Sequence, residues 1–295
     1  MKITILLNGI SPAKKKFYRT VLPPLQQVFE VHVRETQYAG HARELAREVD
    51  SDIVLAAGGD GTLHEVINGV MERPHQPVVG ILPLGSGNDF ARTCGLRADP
   101  QQLIGLVQAR SFQPTDVGQV ELYDRNGQPV TRYFINACSV GMGPQVLEIL
   151  QQRSRRWGAG FNYFTAIVQT FFTYRYQNIS LKTETAISEK PVRVLAIANG
   201  RSFGNRLTIA PTASVQDGLL NVFTAARVSL FDFLRLQGKL KSGKTIEHPQ
   251  VHYQTCAQAW LTAHEPAAME ADGEWAGLLP ARINVLRGKI LFCRQ

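Results

Sequence analysis

The sequence predicts an α/β plus β protein: an open, mostly parallel α/β domain, then a second domain built mainly of strands. Three observations carry this. Short apolar runs alternate with amphipathic stretches through the first third of the chain, glycine-rich turns follow two of those runs, and from about residue 119 the pattern changes to many strand-like segments. The expected domains are therefore 1–118 and 119–295.

Residues 2–7 are rich in strand formers and end at Asn8-Gly9, a turn signal. Residues 14–29 read as a helix that Pro23-Pro24 breaks or kinks. Residues 30–34 alternate like a strand, and 41–49 place Ala42, Leu45, Ala46 and Val49 at helical spacing. Residues 53–57 and 78–82 are continuously apolar, as strands covered on both faces are. The order βαβαβαβ implies crossover helices and a ligand site beyond the carboxyl ends of the strands. In the second half, residues 130–140, 179–185, 192–198, 219–225, 251–255, 257–262 and 283–286 read as strands. Residues 144–176, broken near Gly158-Ala159-Gly160, and 229–241 read as helices.

Composition bounds the function. A 44% hydrophobic and 19% charged chain of 295 residues is an ordinary globular protein. Its net charge of +8 suits an anionic partner such as a nucleotide, a nucleic acid or a headgroup surface, or serves solubility alone. Cys94, Cys138, Cys256 and Cys293 stand too far apart for a zinc site and read as reduced, mostly buried cytosolic thiols. The first residues do not form a signal peptide, and no apolar run reaches the ~18 residues of a membrane span. The longest, 161–172, contains Asn162, Thr165, Gln169 and Thr170, so any membrane contact is made from outside.

The turn after residues 53–57 is Gly58-Gly59-Asp60-Gly61-Thr62, followed by Leu63-His64-Glu65. The next helix spaces Leu63, Val66, Ile67, Val70 and Met71 on one face. Thr62 and Glu65 have capping-box spacing, which predicts Thr62 as the N-cap. The glycines allow positive φ and close backbone approach, and a helix N-terminus presents N–H groups to an anion. A phosphate chain fits this geometry. A carboxylate at Asp60 would repel phosphates unless it binds Mg²⁺; the alternative is a plain turn residue. The run is neither a P-loop nor a dinucleotide fingerprint. The run after 78–82, Pro83-Leu84-Gly85-Ser86-Gly87-Asn88-Asp89-Phe90-Ala91-Arg92, is a second small-residue loop at the same edge. Ser86 can donate to a phosphate oxygen, Gly85 and Gly87 allow close approach, and Asn88 and Asp89 suit helix capping.

Farther on, Ala268-Met269-Glu270-Ala271-Asp272-Gly273-Glu274 sets two carboxylates, Asp272 and Glu274, around a glycine. A tight turn there could aim both into one cleft for general-base work; a charged β-turn is the alternative. Basic groups cluster at 14–16, at 153–156 and at Lys239, Lys241 and Lys244. The second cluster opens an aromatic-rich stretch that could dock at anionic headgroups, although each cluster alone reads as a solvated face.

The stretches 58–69 and 82–92 resemble the diacylglycerol kinase catalytic-domain family, which includes soluble bacterial lipid kinases and the sphingosine and ceramide kinases. The resemblance implies a nucleotide-binding domain of the NAD kinase and phosphofructokinase type, then a β-sandwich, with the active site in the cleft between. It implies ATP and Mg²⁺, a membrane-lipid hydroxyl as acceptor, no nucleic-acid partner, and a cytoplasmic protein that touches the inner face of the membrane transiently. By resemblance Gly58, Gly59, Asp60, Gly61, Thr62, Leu63, His64, Glu65, Gly85, Ser86 and Asn88 contact nucleotide, with Ser86 where the family usually has Thr. Thr36 matches a family Thr that touches nucleotide. Asn8 is also expected to contact nucleotide, although with Ser11 it stands in a loop that departs from the family's Asn-Pro-x-Ser-Gly. Asp116 matches a family Asp that supports the metal or a nearby basic group; a turn Asp is the alternative. Glu274 matches the proton acceptor, with Asp272 serving metal or base. Ser214, Asp217 and Leu219 match a second Mg²⁺ site formed by a carboxylate and backbone carbonyls, the alternative being an Asp-Gly turn. A kinase acting on NAD, or a module without catalysis, remains a rival reading. Diacylglycerol, phosphatidylglycerol, a sphingoid base and an isoprenoid alcohol all stay open as acceptors.

Overall fold

The computed structural model describes residues 1–153, 158–204 and 206–295, so the basic run expected at 153–156 lies outside the described residues apart from Arg153. The chain divides into two compact units, Met1–Val117 with Gly288–Gln295, and Gly118–Arg287. Residues 288–295, expected with the second domain, thus belong with the first unit.

Unit 1 contains β1 (Lys2–Leu7), α1 (Lys14–Lys16), a π-helical turn at Phe17–Val21, α2 (Leu22–Gln26), β2 (Glu30–Glu35), α3 (His41–Glu48), β3 (Ile53–Gly58), α4 (Asp60–Met71), β4 (Val78–Pro83), α5 (Asp89–Thr93) and α6 (Pro100–Gln108). Its sheet runs β2-β1-β3-β4, parallel throughout. The last residues of the chain extend it, with Phe292 opposite Val79. All six residues of β3 are buried, which explains their continuous apolar run. The helical ladder widens to π just before Pro23-Pro24, two residues that have no N–H to continue it.

Strand β5 (Phe112–Tyr123) leads from unit 1 into unit 2. There follow β6 (Pro129–Phe134), β7 (Ala137–Gly141), α7 (Met142–Gln152), α8 (Ala159–Thr173), β8 (Gln177–Thr183), β9 (Ile187–Val192), β10 (Val194–Ala198), β11 (Ser202–Phe203) and β12 (Leu207–Thr208). The chain closes with β13 (Leu220–Ala225), α9 (Leu230–Lys241), β14 (Val251–Cys256), β15 (Gln258–Ala263), β16 (Ala268–Ala271) and β17 (Glu274–Cys293). One layer orders as β14-β13-β10-β7-β16-β17, and β15, β8, β9, β5 and β6 build the other around the same long β17. Phe134, Val140, Leu195, Leu261, Met269 and Ile283 share the core of this sandwich. The strand expected at 130–140 is two strands, β6 and β7, separated at Ile135-Asn136. Helix α9 starts after Ser229, which closes a capping box with Asp232.

Candidate active site

In unit 1 the loops after β1, β2, β3 and β4 meet at the carboxyl ends of the strands. Thr36 N donates to Leu7 O at 2.9 Å, and Thr36 Oγ1 accepts from Gly9 N. Asn8 N donates to Ala57 O, and its side-chain amide reaches Thr62 Oγ1 at 3.4 Å. Gly58 O accepts from both Leu84 N (2.8 Å) and Gly85 N (3.1 Å), which fixes the second glycine loop against the first. The two loops touch through bare backbone: a Cβ on Gly85 would lie 2.4 Å from Gly59 Cα. None of the glycines at 58, 59 and 61 has positive φ; Gly59 serves this close approach, and a Cβ on Gly58 would meet Thr62 Oγ1 at 2.3 Å.

The cap of α4 differs from expectation. Gly59 is the N-cap, and Leu63 N makes the first helical bond to Gly59 O at 3.1 Å, so the amides before it have no partner inside the helix. Thr62 lies within the first turn. Glu65, instead of closing a capping box, accepts from Gly40 N (2.8 Å) and Ala42 N (2.9 Å) at the start of α3. Leu63 is core, and His64 is buried beside Asn68, whose amide donates to His64 O at 2.9 Å. The side chains of Leu63, His64 and Glu65 are therefore committed to packing and capping.

Asp60 also has a definite occupation. Its carboxylate accepts from Asp89 N at 3.1 Å and from Phe90 N at 3.3 Å, capping α5 from the opposite loop. These two amides offset part of the carboxylate's negative charge. Asn88 occupies the N-cap position of α5 in left-handed backbone without capping it; its amide group instead donates to Gly85 O at 2.7 Å. Its Oδ1 is buried and has no partner among the described residues. Asp89 pairs with Arg92. Gly85 and Ser86 are exposed. Glycine loops with amides at a helix start and an orphaned acceptor would fit a nucleotide's phosphates and hydrogen-bond donors.

Asp116 is fully buried and accepts from Gly288 N at 2.7 Å. Nearby, Arg294 donates to Thr115 Oγ1 and to Pro114 O, each at 3.0 Å. Asp116 therefore ties the returning chain end into unit 1.

In unit 2 the segment 270–274 holds three carboxylates in three environments. Asp272 and Gly273 both have positive φ (51° and 85°), the geometry of a two-residue hairpin turn between β16 and β17. The Asp272 carboxylate is buried and accepts from Ile135 N (2.9 Å), Asn136 N (2.9 Å) and Ala137 N (3.0 Å). It bridges the gap between β6 and β7. Glu270, which the sequence reading passed over, is 1% exposed; Ser139 Oγ donates to it at 2.5 Å and Gly273 N at 2.8 Å. Burial pushes its carboxyl up to about 8, outweighing those two bonds. Its signal was present: Glu270 stands two residues before Asp272, so strand alternation carried to the end of β16 sets the two acids toward the same side. Burial, with Glu270 and Asp272 nearby, also raises the Cys138 thiol well above its ordinary value. Glu274 begins β17 and is exposed. The turn held by Glu270 and Asp272 thus presents Glu274 to solvent.

The Ser214–Leu219 stretch lies in the loop before β13. Asp217 is exposed, and its Oδ1 accepts from Leu219 N at 3.0 Å in an Asp-Gly turn. Among the described residues no cluster of three or more His, Cys, Asp and Glu could hold a metal by side chains alone. A cation here would draw on one carboxylate and the carbonyls of Ser214 and Leu219, a donor set that suits a hard ion such as Mg²⁺.

Unit 2 also contains an apolar cavity of about 110 Å³ between α7, α8, α9 and the β10–β13 face. Val146, Ile167, Phe171, Phe223, Phe233 and Leu236 are among its walls. The model of the diacylglycerol kinase catalytic domain matches residues 2–120, and that of the YegS C-terminal NAD kinase beta sandwich-like domain matches residues 136–292. The chain belongs to the diacylglycerol kinase catalytic-domain family. A diacylglycerol kinase of Bacillus subtilis (strain 168) is 26% identical over 92% of this chain and 89% of its own length. A diacylglycerol kinase of Staphylococcus saprophyticus is 27% identical over 97% and 93%. The family's fold is seen in a crystal structure of a diacylglycerol kinase from Bacillus anthracis str. Sterne, with TM-score 0.73 and 19% identity over 100% of this chain and 97% of that one. A yeast NADH kinase bound to NADH shares the fold more distantly, with TM-score 0.56 and 9% identity over 99% and 82%. This lipid-kinase family joins an α/β domain to a β-sandwich, as the chain does. Among the described residues no helix is long and apolar enough to cross a membrane.

Proposed function

We propose that the chain is an ATP-dependent lipid kinase that phosphorylates a hydroxyl of a diacylglycerol-like lipid. The observation that carries the choice of lipid over NAD is the apolar cavity of unit 2, whose walls suit hydrocarbon and offer little to a dinucleotide. The first turn of α4 and the Gly85–Asn88 loop would bind the phosphates of ATP, with Asn8 and Thr36 at the rim. Asp60 keeps the two loops in register. Glu274 would accept the proton of the lipid hydroxyl; its oxygen then bonds to the γ-phosphorus, the bond from that phosphorus to the bridging oxygen breaks, and ADP leaves. Asp272 and Glu270 hold the turn that carries Glu274. Mg²⁺, when bound, supplies charge neutralisation, and Asp217 with the carbonyls of Ser214 and Leu219 would hold a structural ion. Asp116 acts through the chain end it secures.

Phe172 and Phe231 are 77% and 73% exposed on α8 and α9, with Lys239 and Lys241 on the last turn of α9. Exposed aromatic and basic groups of this kind suit transient contact with an anionic bilayer at the inner side of the membrane. Glu274→Gln tests the chemistry. Turnover should fall by roughly 10²–10⁴-fold while ATP binding, followed by calorimetry, is unchanged; full activity in this variant would remove Glu274 from the mechanism.

A further inference from the structure

The cavity of unit 2 has one charged residue among its described walls, Arg193. In the sequence it interrupts an apolar run, Val192-Arg193-Val194-Leu195. The side chain is 93% buried, being 7% exposed. Its guanidinium lies over the rings of Phe171 (4.3 Å) and Tyr176 (4.7 Å). Nε donates to Val228 O at 2.8 Å, and one terminal nitrogen donates to Tyr176 Oη. The other, Nη1, is buried with no acceptor among the described residues. Arginine does not shed its proton in a protein, so this is a permanent charge in an apolar surround. Aromatic faces and neutral acceptors offset it only in part, and a buried cation is normally matched by an anion.

We infer that the cavity binds a long-chain fatty acid, with its carboxylate on Arg193 and its hydrocarbon along the apolar walls. A planar guanidinium with an unused N–H is matched to a carboxylate, and the remaining walls, aliphatic and aromatic for the most part, suit the hydrocarbon of the rest of the ligand. The inference shares the cavity with the proposed lipid kinase but does not depend on catalysis. A fatty acid seated there would compete with the acyl chain of the acceptor.

The test is calorimetric titration of delipidated full-length protein with oleate and with methyl oleate, below their aggregation limits. Wild type should bind oleate at least tenfold more tightly than the ester. Arg193→Met should abolish that preference, and Ile167→Trp, which fills the cavity, should block both ligands. Equal affinity for acid and ester, no oleate binding, or unchanged oleate binding in Ile167→Trp would overturn the inference. The comparison of acid with ester in wild type decides the matter even if Arg193→Met does not fold. Oleate binding without phosphoryl transfer would count against the kinase reading alone; transfer without acid preference would count against this site alone.

Discussion

Glu270 is a carboxyl group whose folded environment favours its protonated form. Its ordinary value is 4.5, and burial moves it to about 8 in the folded chain. Below pH 4.5 both folded and unfolded chains hold the proton, so the group contributes no difference. As pH rises from there toward 8 the unfolded chain binds fewer protons than the folded one, so this residue's contribution to stability falls. Glu270→Gln keeps an acceptor for Gly273 N and a polar partner for Ser139 Oγ without the titration. Its melting temperature should decline less between pH 5 and pH 8 than that of wild type, as thermal scans across that range would show. Asp272 makes the opposite case, a carboxylate held by three backbone amides. Asparagine offers one acceptor oxygen and turns an N–H toward a donor, so Asp272→Asn should cost about 1–3 kcal/mol in urea denaturation. Both residues stand in a segment whose acids are plain in the sequence. What the sequence cannot show is which acid is clasped by amides 135–137, because that contact joins residues more than 130 positions apart.

At the scale of elements, the two glycine loops form one structure. Gly58 O holds the second loop, Asp60 caps α5, and Gly59 packs on Gly85 without side chains between them. Gly85→Ala would drive a methyl into Gly59, so it should cost about 1–3 kcal/mol and weaken ATP binding together. Denaturation and ATP titration of the same variant check both. The strand–turn–helix pattern of these loops was legible because it is local: buried strand, glycines, amphipathic helix. The partner of each cap was not. Glu65 and Asp60 both cap helices other than their own, and spacing along one segment carries no trace of a neighbour's N-terminus. The cavity was hidden for a related reason, as its walls come from helices and strands spread between Met142 and Val251.

At the scale of the molecule, the chain end returns to unit 1. Phe292 is fully buried there and meets Phe90 edge-on at 5.3 Å. Phe292→Ala should destabilise unit 1 by about 3–5 kcal/mol, measurable by chemical denaturation, and ATP binding should weaken with it. A composition shift marks where strands begin to dominate, near residue 119, but a strand that ends in another unit has the same alternation as one that does not. The most direct test of function is incubation of the protein with Mg²⁺ and ATP labelled at the γ-phosphate, beside a lipid extract in one tube and NAD in another. Label should appear in a phosphorylated lipid and not in NADP. Label in NADP with none in lipid, or in neither, would contradict the lipid-kinase proposal.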